Sequence, residues 1–237
     1  MQKLAKVFQI YYNDDQKSRL LGGFSHFKNA QNDIFLENAV LIRIFNKIKN
    51  ENFHWFGGFS HKVCSKIGNH FNYEYLINKI NEYSDSDIIC PKPENNKISD
   101  RLKKPHHPRI LHPTSTNKGF WECIDLILKK LNIPNLLNGN HLDRDIDMIY
   151  FNYFVIKKDL FADYMNNLLL PAINLMQFDE DIIELCNLTS DYNSVHEFPE
   201  HLRTETAYSY WPHIPFILER LINIYRLTYD KKTAFVL

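Results

Sequence analysis

The first 91 residues alternate between strand-like and helix-like segments, and this order limits the folds open to the chain. Short runs of apolar and aromatic residues predict strands over 6–12, 54–62 and 87–91. Apolar residues at helical spacing predict helices over 33–49 and 73–83. Such a β-α-β-α-β order favours an α/β fold whose parallel or mostly parallel sheet is flanked by helices.

The first predicted strand ends in Tyr11 and Tyr12 and runs directly into the polar sequence Asn13-Asp14-Asp15. Asn and Asp favour a turn at this point. In α/β proteins, ligands bind in the crevice outside the carboxyl ends of the strands. The turn is therefore a candidate ligand edge, although an ordinary first strand and turn fits the same residues.

Composition indicates a single globular domain over residues 1–237. Hydrophobic residues make up 44% of the chain, and its 28 basic residues balance its 28 acidic ones. This neutrality gives no electrostatic reason to expect nucleic acid or an anionic membrane surface as a partner. We also expect no transmembrane segment, since no window reaches the roughly 18 apolar residues of a membrane span.

Cysteine usage and the N-terminal segment both bear on localisation. The cysteines are Cys64, Cys90, Cys123 and Cys186. None is spaced as Cys-x-x-Cys, and four in a chain of this length do not form a disulfide scaffold. We expect reduced thiols in a cytoplasmic protein. The N-terminal apolar run is interrupted by polar residues and lacks a cleavage site, so we predict no signal peptide.

The second half begins with a long loop. Residues 91–118 are rich in Pro, Lys, His and Asn, and long loops in compact domains often serve as lids or binding loops. We interpret this loop as a lid that excludes water. Beyond it, the sequence predicts helices over 120–131, 160–176 and 214–227 and a strand over 148–156.

The segment 57–62, Gly-Gly-Phe-Ser-His-Lys, places backbone without side chains beside a hydroxyl, an imidazole and an ammonium group. Glycine lets a ligand approach the main chain closely, and His61 and Lys62 would then neutralise a phosphate. A β-bulge or a tight turn at the diglycine explains the same sequence. The spacing of a P-loop is absent.

Two acidic clusters and a group of histidines are candidate metal sites. Asp85 and Asp87 precede an apolar strand, and residues 143–147 contain further aspartates. Such carboxylates bind a divalent cation that bridges a diphosphate, although solvated turns explain both clusters. The histidines are His106, His107, His112 and His141. They lack zinc-ligand spacing, so a merely histidine-rich loop is the simpler interpretation.

Three polar residues lie in strongly apolar segments. Asn152 interrupts an aromatic strand, and Glu219 and Arg220 interrupt the apolar helix 216–222. Buried polar and charged groups are costly unless they have a partner. Either an internal partner or a ligand would meet this need, so these residues are both structural and functional candidates.

Taken in order, the segments resemble bacterial glycosyltransferase-like proteins of polysaccharide biosynthesis with a GT-A-type, Rossmann-like fold. The resemblance rests on the opening strand, a glutamate in an apolar helix, a Trp-x-Gly segment ending in His-Lys, Asp-Ile-Ile-x-Pro, Asn-x-Phe-x-x-x-Lys and Phe-x-x-Glu-Arg-Leu. These are residues 6–12, Glu37, 55–62, 87–92, 152–158 and 216–221.

The resemblance implies a nucleotide-sugar donor bound by residues 1–118 and a saccharide acceptor bound by residues 119–237. The implied donor contacts are Tyr11, Asn13, Gly58 and Asp87. The implied reaction centre contains Asn152 and Glu219, with Arg220 orienting or neutralising. A Mn²⁺ or Mg²⁺ cofactor would use Asp85 and Asp87, although these precede a strand whereas the family's Asp-x-Asp follows one. The base would be Glu219 or an aspartate of 143–147.

Three functions remain open from the sequence. The first is a cytoplasmic glycosyltransferase that builds a capsule, a lipooligosaccharide or a similar surface polysaccharide. The second is a non-catalytic relative that keeps the fold as a binding or scaffold protein. The third is a metal-dependent hydrolase that uses the loop histidines. Binding of a nucleotide sugar separates the first from the third, and turnover separates the first from the second.

Overall fold

The computed structural model describes residues 5–29, 33–92, 119–134, 148–149, 152–190, 193 and 197–236. Within these residues the chain is an α/β protein with a mixed six-stranded sheet flanked by helices. The strands are β1 (Ala5–Tyr11), β2 (Ser25–Lys28), β3 (Trp55–Ser60), β4 (Ile88–Pro91), β5 (Phe154–Lys157) and β6 (Thr233–Val236). The helices are α1 (Leu36–Ile48), α2 (Val63–Ile67), α3 (Tyr73–Glu82), α4 (Phe120–Lys130), α5 (Lys158–Tyr164), α6 (Leu170–Phe178), α7 (Glu180–Cys186), α8 (Glu200–Glu205) and α9 (Ile214–Thr228). Among these helices, none combines the length and the hydropathy that crossing a bilayer requires.

The strands lie in the order β2-β1-β3-β5-β4-β6. β1 pairs in parallel with β2 and β3, and β4 pairs in parallel with β6. β5 runs antiparallel to both of its neighbours, β3 and β4. The predicted α/β sheet flanked by helices is thus confirmed, and it is a mixed sheet because β5 is reversed.

Alternating side chains along the strands divide the core between the two faces of the sheet. Phe8, Phe56 and Ile156 belong to a large cluster with apolar residues of α1, α4 and α9. Val7 and Val155 point into a smaller cluster with apolar residues of α2 and α3. Successive strand residues point to opposite faces, so helices cover the sheet on both sides.

The diglycine does not break β3. Gly57 pairs with Val7 and Val155, and Gly58 occupies the next position of the same ladders. A Cβ on Gly57 would lie 2.7 Å from the Phe154 carbonyl oxygen, and one on Gly58 would lie 2.6 Å from Leu41 Cδ2. The glycines therefore permit close packing within a regular strand, and the predicted break at this point is wrong.

The strand predicted over 148–156 is much shorter than expected, because only β5 is a strand among the described residues there. Ile149 instead bonds to a side chain. Its N–H donates to Asn223 Oδ1 at 2.8 Å, and its carbonyl accepts from Asn223 Nδ2 at 2.9 Å. The amide of Asn223 thus takes the role of a neighbouring strand. The sequence also did not predict β2 and β6.

We expect Gly57→Ala to lower the free energy of unfolding by about 1–3 kcal/mol, as overpacking commonly does. The new methyl group would meet a backbone carbonyl that the ladder holds in place. Gly58→Ala is the matched control, because the atom it meets is the end of the Leu41 side chain, which can rotate. Urea denaturation of both variants checks this, and an equal or larger loss for Gly58→Ala would contradict it.

Candidate functional site

The carboxyl ends of β1 and β3 lie side by side at one edge of the sheet, because the two strands are parallel neighbours. β5 is antiparallel to β3, so its amino end reaches the same edge. Ser60 ends β3, and its Oγ shares a hydrogen bond with the hydroxyl of Tyr153, the residue before β5. This edge, called the carboxyl edge below, is where polar side chains converge.

Glu37 in the first turn of α1 is the central carboxylate of the carboxyl edge. Its side chain is half-buried. Burial raises the pKa of the Glu37 carboxyl above its ordinary value, and nearby Glu219 adds to the rise, whereas Lys66 and Lys62 oppose it. Two carboxylates from α1 and α9 are thus within electrostatic range of two amines from the chain after β3.

Lys66 on α2 lies between these carboxylates and the aromatic wall of the site. Its Nζ is 5.3 Å from the centre of the Tyr153 ring. Burial lowers the pKa of the Lys66 amine, whereas the charges of Glu37 and Glu219 raise it. The pKa of the Tyr153 phenol is raised, first by burial and then by the same carboxylates. A general acid or base and a cation therefore share one partly desolvated recess.

Tyr12 and His61 form the wall nearest to β1. Their ring centres lie 6.2 Å apart in an edge-on arrangement. Burial raises the pKa of Tyr12, and the Glu37 carboxylate raises it further. Burial also lowers the pKa of His61, with contributions from Lys62, Arg19 and Lys66. His61 Nδ1 is buried and bonds to no residue in the described part of the chain.

Asn152 and Arg220 are buried beside the site. Asn152 has a left-handed backbone with φ of 56°, which Asn tolerates better than most residues. Its Oδ1 has no hydrogen-bond partner within the described ranges. Arg220 Nη1 lies 3.6 Å from Glu219 Oε1. The structure thus brings Asn152, Glu219, Arg220, His61 and Lys62 to one region, as expected from the sequence.

The remaining predicted donor contacts are placed differently. Tyr11 ends β1 half-buried, and Asn13 lies exposed in the turn that follows. Gly58 is buried in β3 under Leu41 of α1, where it serves packing. Asp87 precedes β4, which runs parallel to β3, so it lies at the opposite edge from Ser60. The structure therefore separates Asp87 from the carboxyl edge and gives Gly58 a packing role.

The residues predicted to hold Mn²⁺ or Mg²⁺ do not fit a metal. Asp87 Oδ1 lies 3.0 Å from Lys157 Nζ, and Asp85 forms an ion pair with Lys232. No group of three or more His, Cys, Asp or Glu in the described part of the chain is arranged to hold a metal. The four loop histidines, the aspartates of 143–147 and residues 93–118 of the proposed lid lie outside the described residues.

Sequence reasoning missed Lys66, Tyr12 and the Ser60–Tyr153 pair, and it named Glu37 only as part of a family motif. Lys66 follows Lys62 at i+4, a spacing that places two amines on one face of a helical turn. That signal was readable, whereas the position of Glu37 depends on how α1 crosses the ends of β1 and β3. Comparison of the chain with models of known families, with curated proteins and with solved structures found no match.

Asp87→Asn tests the placement of Asp87. We expect the free energy of unfolding to fall by at most about 1 kcal/mol, because the lost pair with Lys157 is partly exposed. Affinity for any nucleotide sugar that the wild type binds should stay unchanged, since Asp87 lies away from the carboxyl edge. Urea denaturation and calorimetric titration measure the two quantities. A clear loss of affinity would contradict the separation.

Glu37→Gln tests the electrostatics of the recess. The pKa of Glu37 is higher in the folded state, so the stability linked to this group is lost as pH rises through the folded pKa. The variant lacks this loss. We expect its stability relative to wild type to increase from about pH 4 to about pH 7, the range in which a carboxyl with a raised pKa titrates.

Urea denaturation at both pH values measures this change. Glu184→Gln, at an exposed position of α7, is the matched control and should show little dependence on pH. If the stability difference between Glu37→Gln and wild type were the same at both pH values, Glu37 would ionise as an ordinary surface glutamate. The recess would then not desolvate it.

Proposed function

We propose that this protein is a glycosyltransferase of GT-A type that moves a sugar from a nucleotide-sugar donor to a saccharide acceptor. One observation carries the proposal: Glu37, Glu219, Lys62 and Lys66 are brought into one partly buried recess at the carboxyl edge. Carboxyl ends of strands are the usual ligand edge of α/β sheets. Sugar transfer needs both a carboxylate base and a positive charge near a leaving phosphate.

In this mechanism an acceptor hydroxyl oxygen attacks the anomeric carbon of the donor. The new C–O bond forms while the bond between that carbon and the leaving phosphate oxygen breaks. The acceptor proton passes to the Glu37 carboxylate, because burial makes this group a stronger base than an ordinary glutamate. Glu219 accepts a hydrogen bond from the acceptor and orients it. The lysines stabilise the negative charge of the nucleotide that leaves.

The donor is assigned to the ends of β1 and β3 within residues 1–118, and the acceptor to residues 119–237, which supply Asn152, Glu219 and Arg220. The four cysteines are free thiols, which supports a reducing compartment. We therefore propose a cytoplasmic enzyme of surface polysaccharide biosynthesis. Residues 1–237 would form one domain around the sheet.

One observation favours the non-catalytic alternative. The Asp-x-Asp pair of Asp85 and Asp87 is tied to Lys232 and Lys157, away from the recess. A relative that binds a nucleotide sugar without transferring it would retain the recess and need no metal ligands. Binding without turnover would identify this alternative. A thermal-shift screen with UDP-, GDP-, CMP- and dTDP-sugars, with and without Mn²⁺, comes first because ligand binding raises the melting temperature.

The carboxylates are then changed to amides. We expect Glu37→Gln to lower the rate of nucleotide release by about 10²–10⁴-fold, the usual contribution of a general base. Donor binding should persist, because the amide keeps the size of the side chain. Glu219→Gln should raise KM for the acceptor, and Glu184→Gln serves as the unchanged control. Wild-type turnover by both Glu37→Gln and Glu219→Gln would eliminate the assigned mechanism.

A further inference from the structure

The recess holds an excess of positive charge. Lys62, Lys66 and Arg220 face only two carboxylates there, Glu37 and Glu219, among the residues that the structure describes. Glu37 also retains a proton more readily than an ordinary glutamate, because burial raises its pKa. The chain as a whole is neutral, with 28 basic and 28 acidic residues. The excess is therefore a local property of this site, and it favours an anionic ligand.

Both lysines are held close to the ends of β3 and β5. Lys66 Nζ contacts the face of Tyr153 at 5.3 Å from the ring centre. The Tyr153 hydroxyl is hydrogen-bonded to Ser60 Oγ, which also accepts a bond from the Lys62 backbone N–H at 3.3 Å. Lys66 is half-buried, whereas Lys62 is exposed at the rim. An amine that is already positioned loses less side-chain entropy when it binds an anion.

Arg220 adds positive potential from behind the recess. Its side chain is only 1% exposed, and Nη1 forms no hydrogen bond to any residue of the described ranges. Its ion pair with Glu219 is long, at 3.6 Å. The Glu219 charge is shared with Lys66, so it only partly compensates the guanidinium. The field of Arg220 therefore extends to the ligand side of the site.

We propose that Lys66 and Lys62 bind the diphosphate group of an anionic ligand at the carboxyl ends of β1 and β3. This inference rests on the proposed function, in which that group leaves the donor sugar. Ammonium groups donate strong, charge-assisted hydrogen bonds to phosphate oxygens. Lys66 lies deepest and binds the oxygens nearest to the sugar, and Lys62 binds those at the rim. Arg220 strengthens binding through its charge and makes no contact with the ligand.

Calorimetric titration with inorganic pyrophosphate, UDP and GDP, without added divalent cations, tests the site directly. We expect Lys66→Met to weaken binding of every probe that the wild type binds by about tenfold, the loss typical of one charged hydrogen bond. Lys62→Glu should have at least as large an effect, because it reverses the charge at the rim. Lys129→Glu at an exposed position of α4 is the matched control and should bind as wild type does.

The arms also separate the possible sources of the diphosphate. Tighter binding of UDP or GDP than of pyrophosphate identifies a nucleotide, and equal binding identifies a free diphosphate; a loss in the variants supports the site in both cases. Failure of the wild type to bind any probe would overturn the proposal. Wild-type affinity in Lys62→Glu, which changes an exposed residue and should fold, would also overturn it even if Lys66→Met did not fold.

The site and the proposed function fail in different ways. If Lys66→Met and Lys62→Glu transferred sugar as fast as wild type at low donor concentration, the diphosphate site would be wrong and the enzyme assignment would stand. If both variants lost diphosphate binding while the wild type turned over no nucleotide sugar, the site would stand and the enzyme assignment would fail. A rise in donor KM for Lys66→Met, together with lost pyrophosphate binding, supports both.

Discussion

The close contact of β3 with both of its neighbours is the constraint on which the rest of the structure depends. β3 is buried along its whole length, and Gly57 lets it approach the Phe154 carbonyl more closely than any side chain would allow. This contact fixes where β5 begins. It thereby sets Tyr153 against Ser60 and places the polar residues before β5 next to those after β3. The recess is thus a direct result of strand spacing.

The electrostatics of the recess follow from the same geometry. Glu37 begins a helix that packs across the sheet, so its carboxyl group loses part of its hydration and its pKa rises. Lys66 reaches the same space from α2 and is also partly desolvated. Opposite charges in a partly dry space interact more strongly than on the open surface. The amines therefore keep Glu37 available as a carboxylate in a site that would otherwise favour its protonation.

Much of the fold could be predicted from local sequence, whereas the site depended on long-range pairing. Helical spacing predicted α1, α3, α4 and α9 with small errors at their ends, because periodicity is a local property. The aromatic sequence before β5 did not predict its true length, since Asn223 bonds to Ile149 from a distant helix. Asp87 could not be assigned to the opposite edge until the direction of β4 was known.

Asn223 also has a mechanical consequence. It lies one turn of α9 beyond Glu219 and binds both backbone groups of Ile149, which lies shortly before Asn152 along the chain. The helix that carries one carboxylate of the recess is therefore fastened to the chain that carries the buried amide. Two sides of the site are joined by a double hydrogen bond well away from the reacting atoms. Their spacing is preset before any ligand arrives, which reduces the reorganisation needed for an aligned attack.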